Sequence, residues 1–210
     1  MFRNNRTTTS FRRRLTRGAA LGALATGLLA TSVSAATTNV DVNDGKFFNP
    51  ENVTQTVGGS VHWQASGIDD HSVTQNQLIF NSGAVGPGVN FTRTFSAGTF
   101  PYHCLEHGDQ GMTGQVRVAP QVLSGPRGLP FTVKWASSSS NTGTRFNVEY
   151  RVGTGRWAMW KRGVTARTAV FGSSSRPVRV LRGKTYSFRV RSGNSSAMSG
   201  LSPVKSFRAR

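Results

Sequence analysis

The chain has 210 residues, which is long for one small domain and enough for two domains of about 80 to 100 residues each once a leader is removed. Lysine and arginine outnumber aspartate and glutamate by 26 to 8, giving a formal net charge of +18. The single cysteine excludes an internal disulfide. Beyond the first 36 residues no stretch is long and apolar enough to cross a bilayer, so we expect a mature chain with no transmembrane segment.

Residues 1–36 have the composition of an export signal. Three arginines at 12–14 and Arg17 precede a run of small apolar residues, and Val33–Ala35 before Ala36 has the pattern of a processing site. A membrane anchor is the alternative, but an anchor needs about 20 strongly apolar residues, and this run is shorter and diluted with Gly, Thr and Ser. The arginine pairs also fit twin-arginine export, so the export route stays open. We therefore expect an exported protein that is secreted, periplasmic or associated with the cell envelope.

Net charge divides the rest of the chain into two parts. Residues 37–120 contain 3 basic and 7 acidic residues, whereas residues 121–210 contain 17 basic residues and Glu149 as the one acid. The composition also changes within APQVLSGPRGLP at 119–130, which places the boundary near Ala119–Gln121. The sequence thus predicts a mildly acidic domain at 37–120 joined to a strongly basic domain at 121–210.

Short strand-like runs separated by Gly, Pro, Asn and Ser fill the first domain from Thr38 to Val118. They are TNVDVN, SVHWQA, HSVTQ, NFTRTF, TFPYHC and GQVRVA. The mature chain has no long apolar pattern with the helical period of about 3.6 residues. These features predict an all-β fold, with an antiparallel sandwich in this domain.

The segment YHCLEHGDQGM at 102–112 combines three potential metal ligands. Cys104 offers a thiolate, His107 an imidazole and Met112 a thioether. This set fits copper, because soft sulfur donors favour Cu(I) and imidazole binds copper in both oxidation states. Zinc is the alternative, but structural zinc sites use several Cys or His ligands and no thioether. A lone exported thiol also needs protection, which metal ligation provides.

A mononuclear electron-transfer copper site needs a second histidine, with methionine as a weak axial ligand. On an extended segment His103 points to the face opposite Cys104, and His62 points outward if its two apolar strand neighbours point inward. His71 enters a strand from the polar loop GIDDHSV, where a ligand at the end of a sandwich belongs. The predicted ligand set is therefore His71, Cys104, His107 and Met112.

Residues 38–118 resemble a cupredoxin of the plastocyanin and pseudoazurin type. The family's Cys-x2-His-x4-Met loop matches Cys104, His107 and Met112 without an insertion. The stretches FFNPENVTQTVGGSVHW and GTFPYHC are similar to the first strands of the family and to the strand that leads into its ligand cysteine. The resemblance implies a Greek-key sandwich with one type I, or blue, copper ion that relays single electrons. It also implies that His107 lies in an apolar surface patch and passes the electron.

One residue departs from the cupredoxin pattern. Arg93 in NFTRTF has the same strand parity as Phe91 and Phe95, so its side chain should face inward unless the strand bulges there. The departure concerns local packing and leaves the predicted ligands unchanged.

The second domain alternates apolar and polar residues with the period of a strand. One parity is aromatic or aliphatic and should point inward: Phe131, Val133, Trp135, Phe146, Val148, Tyr150, Tyr186, Phe188 and Val190. The other parity includes arginines that should lie in one sheet and line its solvent face: Arg145, Arg151, Arg189 and Arg191. The pattern predicts a second all-β sandwich with positive charge on one exposed face.

Residues 121–210 resemble a fibronectin type III domain, which is an immunoglobulin-like sandwich. The segments FTVKW, RFNVEYRV, TYSFRVRS and SGLSPVKSF follow the order of that family. The resemblance makes Trp135 the core tryptophan and Tyr186 the corner tyrosine. Trp157 and Trp160 in GRWAMWKRG are either exposed stacking groups for sugars or packing residues.

The basic domain should attract an anionic partner, because a concentrated positive field steers polyanions and acidic proteins. For an exported chain the candidates are an anionic envelope polymer, lipid head groups and an acidic protein, and the redox protein partner itself is not identified. Nucleic acid is disfavoured, because the chain has no recognised nucleic-acid-binding motif.

Together these features predict an exported one-electron carrier with one copper ion and a basic module for attachment to the envelope or to a partner. An enzyme such as a multicopper oxidase or a copper nitrite reductase is not expected, because it needs further histidine-rich copper centres and this chain has 4 histidines in total. The alternative is an extracellular copper-binding or interaction protein without an electron-transfer role.

Overall fold

The computed structural model describes residue 1 and residues 35–124, 130–172 and 179–210. The predicted export signal at 1–36 lies outside the described residues, except for its first residue and its last two. Ser34–Arg210 form one compact unit. Within the described ranges the protein is all-β, as predicted, with sixteen strands and one 3₁₀ turn. This part of the chain contains no helix that is long and apolar enough to cross a membrane.

The first nine strands form two sheets. Their bounds are β1 Thr37–Asn43, β2 Phe47–Asn49, β3 Asn52–Gln55, β4 Ser60–Ala65, β5 His71–Gln75, β6 Asn81–Val85, β7 Asn90–Thr94, β8 Gly98–His103 and β9 Thr113–Val118. One sheet has the strand order β2-β1-β4-β7 and the other β3-β9-β8-β5-β6. Most neighbours are antiparallel, as expected, but β1 pairs with β4 and β3 with β9 in parallel. The parallel pairs arise because the chain crosses between the sheets before it returns to each partner strand.

Alternation along the strands places apolar residues between the two sheets. In β4, Val61 and Trp63 are fully buried, whereas His62 between them faces outward and its Nδ1 lies 2.7 Å from Thr92 Oγ1. Trp63 packs edge-on against Tyr102 of β8, with ring centroids 5.4 Å apart, and so connects the two sheets. Such aromatic pairs add specific geometry to the burial of a large apolar area. The end of β8 is therefore held firmly against the opposite sheet.

The remaining seven strands form two further sheets. Their bounds are β10 Gln121–Ser124, β11 Phe131–Lys134, β12 Arg145–Val152, β13 Ala158–Val164, β14 Thr168–Phe171, β15 Thr185–Gly193 and β16 Lys205–Arg208. The strand orders are β10-β11-β14 and β13-β12-β15-β16. The predicted inward parity is confirmed, because every residue of that set is buried except Tyr150, which is half-buried.

The two tryptophans of the GRWAMWKRG segment have different surroundings. Trp160 is half-buried and packs edge-on against Phe171, with ring centroids 4.9 Å apart. Trp157 is also half-buried, but the guanidinium groups of Arg151 and Arg189 lie over its ring. The sequence left open whether these tryptophans stack on sugars or pack in the core, and Trp160 is therefore a packing residue.

The second sandwich packs directly on the start of β8 and on the residues before it. The Ala97 N–H donates to the Trp135 carbonyl at 2.7 Å, and Ser192 Oγ donates to the Ala97 carbonyl at 2.5 Å. Thr99 and Gly200 exchange two backbone hydrogen bonds of 2.9 and 3.1 Å. Backbone groups that are buried between the sandwiches find their partners in this way. We call this hydrogen-bonded contact between residues 94–99 and the second sandwich the junction.

Arg93 lies next to the junction and extends across it. β7 has no bulge at Arg93, which pairs in register with Val61. Its side chain faces inward, as the parity predicts, and its guanidinium lies 5.3 Å from the centroid of the Phe80 ring. Nη2 donates to the Asn141 carbonyl of the second sandwich at 2.5 Å. Burial lowers the pKa of Arg93. The departure from the cupredoxin pattern thus has a structural reason, since this arginine connects the two sandwiches.

Candidate metal centre

Cys104 follows the last residue of β8 and is fully buried. Strand alternation turns its side chain to the same side as the buried Tyr102. The Cys104 N–H donates to the Met112 carbonyl, and the Met112 N–H donates to the His107 carbonyl, each at 3.1 Å. Gly111 permits the tight return with a left-handed φ of 90°. Residues 104–112 therefore form a closed loop that carries three of the four predicted ligands.

His71 comes from the neighbouring strand. It is the first residue of β5, and β5 pairs with β8 in antiparallel orientation. Because antiparallel neighbours run in opposite directions, the start of β5 lies beside the end of β8. His71 is only 1% exposed, so its imidazole is enclosed at this end of the sheet, next to Cys104.

Three donor atoms converge at this point. His71 Nδ1 lies 3.2 Å from His107 Nδ1 and 3.9 Å from Cys104 Sγ. Cys104 Sγ and His107 Nδ1 are 3.6 Å apart. In a triangle with these sides, the point equidistant from the three atoms lies about 2.1 Å from each, which matches the ~2.0–2.3 Å of metal bonds to imidazole nitrogen and thiolate sulfur. His71, Cys104 and His107 could therefore hold one metal ion as they stand.

The chemistry of this donor set fits copper. Two imidazoles and one thiolate in a trigonal arrangement are the ligands of electron-transfer copper sites, in which a thioether makes a longer fourth bond. Met112 is fully buried at the end of the same loop. The backbone of Met112 closes the loop through its hydrogen bonds with Cys104 and His107. That the Met112 thioether is the axial ligand stays a prediction.

The two other histidines lie away from this cluster. His103 is on the opposite face of β8, with its Nδ1 2.9 Å from Asn76 Oδ1. His62 faces outward on the other sheet, beside Thr92. Both occupy the faces that strand alternation predicts, and neither points toward the three donors.

Ser72 supports the cysteine from the neighbouring strand. Its N–H lies 3.4 Å from Cys104 Sγ, and its Oγ accepts a hydrogen bond of 2.8 Å from the Leu105 N–H. A donor to the sulfur stabilises the negative charge of a thiolate, and the second bond fixes the first turn of the ligand loop. Sequence reasoning misses Ser72, because no local pattern shows that strand pairing places it against Cys104.

Asp44 lies behind His71, on the side of the ring that does not face Cys104. Asp44 Oδ1 is 3.5 Å from His71 Nε2, and this buried nitrogen makes no hydrogen bond to the described residues. The N–H groups of Ile68 and Asp69 donate to the carboxylate at 2.8 and 3.1 Å. The bond from Ile68 is the main cause that lowers the pKa of Asp44, so the carboxylate is charged near neutral pH. A carboxylate behind a ligating histidine orients the ring and raises its basicity.

Asp44→Asn should weaken Cu(II) binding by about tenfold, because the neutral amide no longer raises the basicity of the His71 ring. A competition titration against a Cu(II) chelator measures the change. Asp69→Asn removes the same charge from the exposed loop nearby and serves as the control. Equal losses of affinity in the two variants would show that net charge alone matters and that Asp44 has no specific role.

Glu106 brings a second carboxylate to the ligand loop. Its Oε2 lies 3.1 Å from Cys104 Sγ, and this contact with the thiol is the main cause that lowers the pKa of Glu106. A thiolate has no hydrogen to donate, so the contact belongs to the thiol form of the cysteine. Because Glu106 is exposed, its side chain can turn to solvent when the sulfur binds a metal ion.

The fold and the site together define an all-β protein with a candidate mononuclear centre of two histidines and one cysteine. No known family model matches the sequence. A mutant plastocyanin of fern is similar in structure, with 18% identity over 39% of this chain and 99% of that chain and a TM-score of 0.36. A purple cupredoxin from Nitrosopumilus maritimus has 23% identity over 39% of this chain and 98% of that chain, with a TM-score of 0.35. A mutant amicyanin in its reduced Cu(I) form has 24% identity over 39% of this chain and 81% of that chain, with a TM-score of 0.36.

Proposed function

We propose that this protein is an exported copper protein that carries single electrons. Residues 37–120 form a cupredoxin domain, residues 1–36 are a signal peptide, and residues 121–210 are a basic fibronectin type III-like module for attachment to the envelope or to a partner. One type I copper ion is bound by His71, Cys104, His107 and Met112. The observation that carries this proposal is the convergence of two imidazole nitrogens and one cysteine sulfur within 3.9 Å of one another.

The four side chains differ in their access to solvent. His71, Cys104 and Met112 are at most 1% exposed, whereas His107 is half-buried at the surface. Bound copper would supply a one-electron couple at donors that suit both Cu(I) and Cu(II). The buried ligands exclude water from the centre, and the His107 ring is the part that a redox partner can reach. Leu105 is 56% exposed and adds apolar surface beside it.

We propose a carrier rather than an enzyme. Copper oxidases and nitrite reductases need further histidine-rich centres, and the proposed centre uses two of the 4 histidines. The other two, His62 and His103, project from the outer faces of opposite sheets. They therefore cannot meet at a second ion within one chain.

Three features support the fibronectin type III-like module. Its sheets have three and four strands. Trp135 is fully buried, as expected of the core tryptophan. The Tyr186 hydroxyl accepts a hydrogen bond of 2.8 Å from the Leu181 N–H. A tyrosine that bonds to backbone a few residues upstream is the corner found in immunoglobulin-like sandwiches.

Copper loading of the purified chain tests the proposed function. We expect one equivalent of Cu(II) to give an intense visible absorption, because a thiolate bound to Cu(II) transfers charge to the ion, and we expect reduction to bleach it. A colourless adduct would contradict a thiolate-centred site. Rapid electron exchange between oxidised and reduced protein, measured by stopped-flow mixing, separates a carrier from a copper-binding protein without a redox role.

Met112→Leu should keep both copper and colour while raising the reduction potential. Leucine fills a similar volume but offers no thioether, and an apolar group in place of the weak axial donor disfavours the more highly charged Cu(II) relative to Cu(I). A potentiometric titration followed at the visible band measures the shift. Met159→Leu, at a partly exposed methionine of the second sandwich, is the control and should leave the potential unchanged. An unchanged potential in Met112→Leu would exclude Met112 as the axial ligand.

A further inference from the structure

Four arginines lie on one face of the sheet β13-β12-β15-β16. β12 and β15 pair in antiparallel register, with Glu149 opposite Arg189 and Arg151 opposite Ser187. The intervening residues of both strands are mostly buried in the core, so these residues lie on the outer side of the sheet, as the sequence predicts. We call the following four residues the arginine face: Arg145, Arg151, Arg189 and Arg191.

Most of the charge on this face has no acidic partner within the described residues. Glu149, the one acid among residues 121–210, is paired with Arg189, whose Nη2 and Nε lie 2.6 and 2.7 Å from Oε2. Arg145 and Arg191 are exposed and donate to backbone carbonyls at 3.3 and 3.4 Å. The Nε of Arg151 is buried without an acceptor in the described part of the chain, and the one acid of this domain is already bound to Arg189, so the Arg151 guanidinium has no acidic partner there. Three of the four positive charges are therefore available to an anion.

Trp157 holds two of the guanidinium groups in place. The guanidinium carbons of Arg189 and Arg151 lie 4.2 and 4.8 Å from the centroid of the indole ring. Stacking on an aromatic ring leaves the N–H edge of a guanidinium free to donate hydrogen bonds. Because the stacked Arg151 side chain has already lost rotamer freedom, it loses less conformational entropy when it binds an anion.

The candidate metal centre lies at the far end of β8 from the junction. Ser192, at the end of β15, bonds to Ala97 just before β8 begins, whereas Cys104 follows the last residue of β8. Six strand residues span about 20 Å. A molecule bound to the arginine face can therefore leave the surface around His107 uncovered.

We propose that the arginine face binds an acidic polysaccharide, a polymer with carboxylates at regular intervals. The inference rests on the proposed function, because export would bring the chain among envelope polymers. Arg145 and Arg151 are six residues apart on β12, which separates them by about 20 Å. One small anion cannot contact both, whereas an extended polyanion can lie along the outer face of the sheet. Guanidinium groups bind carboxylates through two parallel hydrogen bonds, which suits this class of polymer.

Binding of the full-length, copper-loaded protein to polygalacturonate tests the inference. One variant combines Arg145→Gln, Arg151→Gln and Arg191→Gln. The control combines Arg167→Gln, Arg182→Gln and Arg210→Gln, which removes the same charge at exposed positions outside β12 and β15. We expect the first variant to bind at least about tenfold more weakly and the control to lose less than about threefold. Binding should also fall steeply with added salt, because exposed charges are screened within ~10 Å at 0.1 M.

Two results would overturn the inference. Equal weakening of the two variants would show that net charge, and not the arginine face, binds the polymer. Tighter binding of single-stranded DNA at the same ionic strength, with the same dependence on the arginine face, would assign the face to nucleic acid. The visible absorption of the same samples is recorded in parallel, so a failure of the copper site is seen separately from a failure to bind the polymer.

Discussion

Cys104→Ser is expected to abolish the intense visible absorption of the copper-loaded protein. The absorption requires a thiolate bound to Cu(II), and a serine hydroxyl is neither a soft donor nor ionised near neutral pH. The two imidazoles of His71 and His107 would still be 3.2 Å apart and could retain weakly bound, pale Cu(II). Absorption spectroscopy at one equivalent of Cu(II) should therefore show a loss of at least about tenfold in intensity.

The Cys104→Ser protein should remain folded. Serine is close to cysteine in volume, and the backbone bond of residue 104 to Met112 does not depend on the side chain. Far-UV circular dichroism and the denaturant midpoint check this. Asp109→Asn, at an exposed position of the same loop, is the matched control and should keep the colour. A folded serine variant with the original absorption would show that other ligands produce the band, and the proposed centre would be wrong.

The parts of the site that were predictable from the sequence are those carried by local patterns. Cys104, His107 and Met112 lie within nine residues, so any tight loop after a strand brings them together. His71 is 33 residues from Cys104, and only strand alternation and its loop position distinguish it from the other histidines. The structure places its Nδ1 beside the other two donors because β5 pairs with β8. The aromatic parity of the second sandwich was predictable for the same local reason.

Contacts between distant segments leave no periodic pattern in the sequence. Asp44 reaches His71 from a turn 27 residues earlier, and Ser72 reaches Cys104 through a backbone N–H that every residue except proline possesses. The junction likewise consists largely of backbone hydrogen bonds and small hydroxyl side chains. Arg93 is the exception, because a charged residue with inward parity conflicts with the pattern around it. The structure explains this conflict, because the Arg93 side chain makes a long-range hydrogen bond to Asn141.

Thr142→Val, in the second sandwich, is expected to lower the stability of the first sandwich as well. Thr142 Oγ1 accepts a hydrogen bond of 2.9 Å from the Ser96 N–H and lies 2.9 Å from Ser96 Oγ. Both residues are fully buried. Valine has nearly the shape of threonine but no hydroxyl, so the Ser96 N–H would lose its partner. A buried donor without a partner costs roughly 1–3 kcal/mol, and we expect the free energy of unfolding to fall by about 2 kcal/mol.

Two optical signals show whether the loss of stability in the second sandwich also destabilises the first. The expected copper colour would report on the first sandwich, whereas three of the 4 tryptophans, all but Trp63, lie in the second. If the sandwiches unfold together, both signals change at one urea midpoint, which should fall by about 1 M for a slope of about 2 kcal/mol/M. Thr154→Val, exposed in the β12–β13 hairpin, should shift neither signal. If the fluorescence midpoint falls while the colour midpoint stays, the two sandwiches unfold separately. Ser34–Arg210 would then be one compact unit that does not unfold cooperatively.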